Sequence, residues 1–263
     1  MSNVSLRIED NVAHVTLTRG DKMNALSFAL MDELVAAGES LMGRDDVRAV
    51  VLSGEGKSFC AGMDVATFAK LSGMDMDEAV MARTHGNSNL FQQVAMVWRK
   101  LPMPVICAIQ GSVFGAGLQI AIAADVRIAA PDTKMSVMEM KWGLIPDMGG
   151  MALLPQLVRS DVLRRLTYAA APIDAVQAEK WGLVTEIAEK PLEVAQGLAA
   201  EITMKSPSAI RAAKRLVAFA EDHSGDQDAV LMEESREQVA LIGKADQMEV
   251  VMAFMQKRAP KFS

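Results

Sequence analysis

Two cysteines in 263 residues, Cys60 and Cys107, are too few to build a disulfide framework or a spaced metal motif, and they fit a reducing compartment. The opening MSNVSLRIED lacks a basic region followed by an apolar core, so no secretory signal is read and the expected location is cytoplasmic. Histidine is equally sparse. His14, His85 and His223 are scattered too widely to specify a metal site, and none is expected. The chain has a single tyrosine, a net charge of −6 and no basic block, which argues against a nucleic-acid partner. Apolar runs such as residues 120–124 fall far short of the roughly 20 residues that cross a bilayer, so no membrane partner is expected either. What is abundant is hydrophobic residues, 51% of the chain, enough for one large domain with at most a small appendage.

Alternation of Val4, Leu6 and Ile8, then Ala13, Val15 and Leu17, predicts a hairpin over residues 4–18. Ser27 caps a helix expected over 28–41, and the continuous apolar run 47–52 predicts a strand buried on both faces. Further helices are expected over 64–71 and 77–100, and Pro102 and Pro104 stop the second before a strand at 105–110. Then come a tight glycine turn and a helix over 118–124, a strand at 126–129, helices at 152–158, 161–169 and 175–181, and a short strand at 182–187. From Pro191 onward the pattern is wholly helical, in segments 191–204, 207–220, 227–242 and 245–256. The organisation is therefore an α/β core over 1–190 and a helical region over 191–263.

Two glycine motifs look like nucleotide loops and fail as such. Gly56-Lys57-Ser58 resembles the end of a phosphate loop, but Val51 stands where the earlier glycine is required. Gly111, Gly115 and Gly117 open a helix without the GxGxxG spacing, because Ile120 occupies the last glycine position.

The segment from Met135 to Gly150, MSVMEMKWGLIPDMGG, places two carboxylates, Glu139 and Asp147, in mostly apolar sequence. Partial desolvation raises a carboxyl's pKa toward the range useful for acid/base work. Taken alone, each residue also has a plainer reading. Glu139 could pair with Lys141 or Lys134 at the surface, and Pro146-Asp147 is ordinary turn chemistry.

Three stretches, KSFCAGMD (57–64), IQGSVFGAGLQIA (109–121) and MSVMEMKWGLIPDMGG, together resemble the crotonase, or enoyl-CoA hydratase/isomerase, superfamily. MNALS (23–27), AEKWGLV (178–184), KSPSAI (205–210) and FMQKRAPKF (254–262) add to the match, which spans nearly the whole chain. The resemblance implies an α/β fold with a β-β-α spiral core and two roughly perpendicular sheets, and a helical C-terminal region used to assemble trimers or dimers of trimers. It also implies acyl-CoA thioesters as substrates, with no separate cofactor.

By the same resemblance, the backbone amides of Met63 and Ala116 form an oxyanion hole, with Gly62 and Gly115 turning them outward. Such donors stabilise the negative charge that develops on a thioester oxygen during enolate chemistry. Ala25, Ala61 and Asp64 are expected around the adenine and pantetheine, and Phe254, Lys257 and Lys261 are expected to reach a neighbouring subunit's nucleotide. Met63, Met135, Met138 and Met148 are candidates to line the acyl pocket, although core filling accounts for most methionines.

Hydratases of this family carry one glutamate on the helix after the glycine turn and a second on the following loop. The second corresponds to Glu139, but Gln119 occupies the place of the first, and an amide cannot take or give a proton. Gln119 either orients a water or a carbonyl, or is simply a satisfied helix residue. Double-bond migration needs only one carboxylate, and a Glu and an Asp eight residues apart resemble the pair of dienoyl-CoA isomerases, in which the position of Gln119 is also acidic. The expected activity is thus isomerisation of 3-enoyl- or 3,5-dienoyl-CoA with Glu139 as acid/base and Asp147 as a second candidate. The alternatives are an enoyl-CoA hydratase and a non-catalytic acyl-CoA binder.

Overall fold

The structure, a computed structural model, describes residues 2–71 and 73–262. β1 (Val4–Glu9) and β2 (Val12–Leu17) form the expected antiparallel hairpin, in register from Val4–Leu17 to Glu9–Val12. Its two-residue turn puts Asp10 and Asn11 at φ 49° and 63°, the left-handed geometry that follows strand twist and that Asp and Asn tolerate. Ser27 caps α1 (Phe28–Leu41) by accepting from the Leu30 amide at 3.2 Å. The chain then returns as β3 (Ala49–Gly54), parallel to β2.

From β4 to β7 the chain alternates between two sheets. β4 (Val105–Ile109) enters the large sheet and β5 (Ser112–Phe114) starts a small one, and α5 (Ala116–Ile122) follows. The same order repeats with β6 (Val126–Ala129) in the large sheet and β7 (Lys134–Ser136) in the small one. β8 (Ile173–Asp174) closes the small sheet, and β9 (Glu186–Ile187) closes the large one in the order β1-β2-β3-β4-β6-β9. This is the expected α/β spiral with two sheets.

The small sheet was not legible in the sequence, because strands of two or three residues show no periodicity. Residues 77–100 form two helices, α3 (Met76–Met81) and α4 (Leu90–Lys100), rather than one. The break ends in a capping box in which Asn89 and Gln92 satisfy each other's backbone amides, a signal present in the sequence as N-x-x-Q. The strand expected over 182–187 shrinks to its last two residues, because Gly182 at φ 92° is the left-handed cap that ends α8 (Ala175–Trp181).

One continuous core lies between the sheets and α1, α4 and α5, with Trp98, Phe59, Leu34 and Leu118 at or near full burial. A second apolar cluster lies on the opposite face of the large sheet. There Ala195 and Ala199 of α9 (Pro191–Thr203) close over Val12, Val51, Ile106 and Ile128. Alanine at these two positions lets the helix approach the sheet closely. α10 (Pro207–Asp222) is tied to the core by Lys214, which donates to Asp125 Oδ2 (2.7 Å) and to the Met103 carbonyl (2.9 Å). α11 (Gln227–Leu241) buries none of its residues, and α12 (Ala245–Met255) buries only Ala253. Among the described residues no helix is long and apolar enough to cross a membrane, and no cluster of side chains could hold a metal ion.

Candidate active site

Two glycine-bearing loops are laced together by backbone hydrogen bonds. Cys60 donates to the Ser112 carbonyl (3.2 Å) and Phe114 to the Cys60 carbonyl (3.1 Å), while Leu26 donates to Gly62 and Asp64 to Leu26 at 2.8 and 3.0 Å. Gly117 is required by this closeness, because a Cβ there would lie 2.3 Å from the Cys60 carbonyl oxygen. Gly62 adopts φ 100° against the Phe114 carbonyl, and Gly115 adopts φ 50° at the start of α5. Among the described residues, the amides of Met63 and Ala116 donate to no protein acceptor. The resemblance named these two as oxyanion donors, and the fold leaves them free on adjoining loops.

Glu139 lies beside them. It begins a single-turn 3-10 helix, Glu139–Trp142, and a Cβ on Gly115 would lie 3.4 Å from its Oε1. Gln119 is one turn into α5 and only 2% exposed. Its Nε2 donates to Glu139 Oε1 at 2.7 Å, and its Oε1 accepts from the amides of Met148 (2.9 Å) and Gly150 (2.8 Å). Glu139 Oε2 is buried and has no hydrogen-bond partner among the described residues. Burial pushes the Glu139 carboxyl above the usual range, opposed by hydrogen bonds including that from Gln119, and the nearby Asp147 charge pushes it further up. Neither lysine of the plainer reading holds it, since no hydrogen bond or ion pair joins Glu139 to Lys134 or Lys141 among the described residues.

Asp147 follows a buried Pro146 and precedes the buried Met148. Protein atoms crowd its carboxyl and raise its pKa, while the residue as a whole stays exposed to solvent. The Gln119 oxygen is what ties this loop to α5. Glu139 and the loop that carries Asp147 are thus held from one side chain, twenty or more positions away in sequence.

Of the residues expected around the nucleotide and pantetheine, Ala25, Ala61 and Asp64 come together. Ala61 donates to the Met23 carbonyl at 3.0 Å. Arg19, which the sequence reading passed over, clasps the group by donating to the Ala25 carbonyl (2.5 Å) and to Asp64 Oδ2 (3.0 Å). The Asp64 carboxyl is held below its usual range by the Ala66 amide first and by Arg19. Nothing in the sequence pairs Arg19 with a residue 45 positions later. Phe254, Lys257 and Lys261 lie elsewhere in this chain, on α12 and the tail after it. Phe254 is 86% exposed, and among the described residues no hydrogen bond links the three to residues 25, 61 or 64.

Met135 and Met148 are buried in the core, whereas Met63 and Met138 are half-buried near the loops. Two aromatic residues that the sequence reading missed approach each other beside the site. Phe68, on α2 (Val65–Leu71), and Trp142, one turn after Glu139, have ring centroids 6.0 Å apart.

A spiral of β-β-α units carrying a carboxylate beside two free loop amides defines a crotonase-type fold and site. The family model for enoyl-CoA hydratase/isomerase matches residues 7–263. The chain is 32% identical to the mouse mitochondrial Delta(3,5)-Delta(2,4)-dienoyl-CoA isomerase over 96% of its length and 79% of that protein's. It is 30% identical to the 1,2-epoxyphenylacetyl-CoA isomerase of Escherichia coli (strain K12), over 100% and 99% of the two chains. The crystal structure of an enoyl-CoA hydratase from Bacillus anthracis superposes with a TM-score of 0.89 at 30% identity, covering 99% and 98%. The chain belongs to the enoyl-CoA hydratase/isomerase family, whose members here are named for both activities.

Proposed function

We propose that the protein shifts a carbon–carbon double bond in an enoyl- or dienoyl-CoA, with Glu139 as the acid/base. The Glu139 carboxylate takes a proton from the carbon next to the thioester, and the electrons move onto the thioester oxygen. The Met63 and Ala116 amides hold that oxyanion, each such donor being worth about 3–4 kcal/mol of barrier. The same proton returns at the far end of the conjugated system, so atoms and charge balance with no added water. For 3-enoyl-CoA one carboxyl can serve both ends. For a 3,5-dienoyl substrate the far carbon is more distant, and Asp147 is the proposed second proton carrier.

The observation that carries this reading is the state of Gln119. Its oxygen already accepts from two backbone amides, so it offers no acceptor for the proton of an attacking water. Hydration by two carboxylates therefore lacks a member, whereas the single raised carboxyl suits a proton shuttle. Ala25, Ala61 and Asp64 are assigned to CoA binding. The apolar residues exposed on α11 and α12, among them Met232, Val239 and Met255, support assembly of copies into trimers or dimers of trimers, in which Phe254, Lys257 and Lys261 meet a neighbour's nucleotide. The proposed location is the cytoplasm.

The test is an assay of purified protein on 3-enoyl-, 3,5-dienoyl- and 2-enoyl-CoA. Migration without net hydration is expected, together with its loss in Glu139→Gln. Brisk water addition to 2-enoyl-CoA without migration overturns the proposal. Binding of acyl-CoA with no turnover of any of the three would identify a non-catalytic member.

A further inference from the structure

Gln119 has a more specific task than filling the place of an acid. Two amide donors, from Met148 and Gly150, converge on one end of its carboxamide, which identifies that end as the oxygen and leaves the nitrogen facing Glu139. The carboxamide cannot flip without setting its NH2 against two N–H donors and its oxygen against a carboxylate. Space confirms the fit, because the Cα of Gly150 lies so close that a Cβ there would be 2.6 Å from Gln119 Oε1 and 2.9 Å from both Cδ and Cγ. Gly150 is absent from the left-handed region, so what excludes a side chain there is the carboxamide and not the backbone.

We infer that Gln119 is a positioning residue, a one-way clamp that engages Glu139 Oε1, leaves Oε2 as the sole proton-carrying atom, and locks the Asp147 loop to the same frame. The inference rests on the proposed isomerase chemistry for its catalytic meaning, but the clamp itself is a property of the resting protein. A glutamate at this position would satisfy the two amides equally well. It would then set a second carboxylate 2.7 Å from Glu139, and the two would have to share a proton. The amide keeps the hydrogen bond and removes that coupling, leaving Asp147 as the charged group that still acts on Glu139.

The experiment compares wild type, Gln119→Met and Gln119→Glu by 13C NMR titration of labelled glutamate carboxyls, with Glu139 assigned by its absence from Glu139→Gln. No turnover is needed, so failure of the clamp and failure of the isomerase reading are separable. Loss of the donated hydrogen bond in Gln119→Met should raise the Glu139 midpoint by about one pH unit. Gln119→Glu should replace the single step with two coupled steps. Where migration activity is present, kcat should fall by about tenfold or more in Gln119→Met with KM within about twofold, because Oε2 is no longer aimed. A Glu139 midpoint that is unchanged in Gln119→Met, or a single step in Gln119→Glu, overturns the inference. So does a rise in KM at constant kcat, which would make Gln119 a substrate contact. If Gln119→Met fails to fold, Gln119→Glu retains both acceptor roles and decides the matter alone.

Discussion

Alanine at Gly150 puts one methyl group against the Gln119 carboxamide. Ordinary van der Waals contact begins near 3.4 Å, and the added carbon would sit 2.6 Å from Oε1, so the carboxamide must retreat by most of an ångström. That retreat takes the 2.8 Å bond from the Gly150 amide out of range and slackens the 2.7 Å bond to Glu139. Overpacking of this kind costs about 1–3 kcal/mol, and a lost buried hydrogen bond adds about 1 kcal/mol. Against this stands the gain from a glycine-to-alanine change at a compatible site, about 0.4–1 kcal/mol. The balance is a loss of about 2 kcal/mol, or about 4–8 °C in Tm for a chain of this size. The assay is a double-mutant cycle by thermal unfolding at fixed protein concentration, with Gly150→Ala measured in wild type and in Gln119→Ala. Once the carboxamide is gone the methyl has room, so Gly150→Ala should become neutral or stabilising, giving a coupling of about 2 kcal/mol. Equal losses in both backgrounds would refute the reasoning, since they would place the clash somewhere other than Gln119.

The Glu139 carboxyl has a folded pKa raised by burial, so its contribution to stability is full below the unfolded value, about pH 4, and is lost as pH rises through the folded value. Glutamine does not titrate and can still accept from Gln119. Glu139→Gln should therefore unfold at a higher temperature than wild type at about pH 8, with the advantage vanishing near pH 4, while double-bond migration falls by about 10²–10⁴. A variant whose relative stability does not change with pH would contradict the buried-carboxylate assignment. Asp147→Asn removes a negative charge that raises Glu139, so the acidic limb of the kcat/KM profile should move to lower pH. It should also cost turnover of 3,5-dienoyl-CoA more than that of 3-enoyl-CoA. Equal loss on both substrates would reduce Asp147 to a turn residue.

The sequence by itself determined the pieces whose signal is local. Alternation fixed the β1–β2 hairpin, Ser27 marked the start of α1, and the three spaced motifs pointed to the family. The short strands of the second sheet were invisible because two or three residues hold barely one period of alternation, too little to stand out. The break at Asn89 was written as a capping box but overridden by the helical pattern around it.

What only the tertiary structure decided is how the polar groups are satisfied. The sequence shows Gln119 as a missing acid, and its meaning changes once Met148 and Gly150, about thirty positions on, bring two amides to its oxygen. Likewise nothing local to Asp64 shows that Arg19 folds against it and against the Ala25 carbonyl. The physical reason is common to both. Periodicity and capping are read over a turn or two of chain, whereas a buried amide or carboxylate takes its partners from whatever the fold carries to within 3 Å, at any separation in sequence.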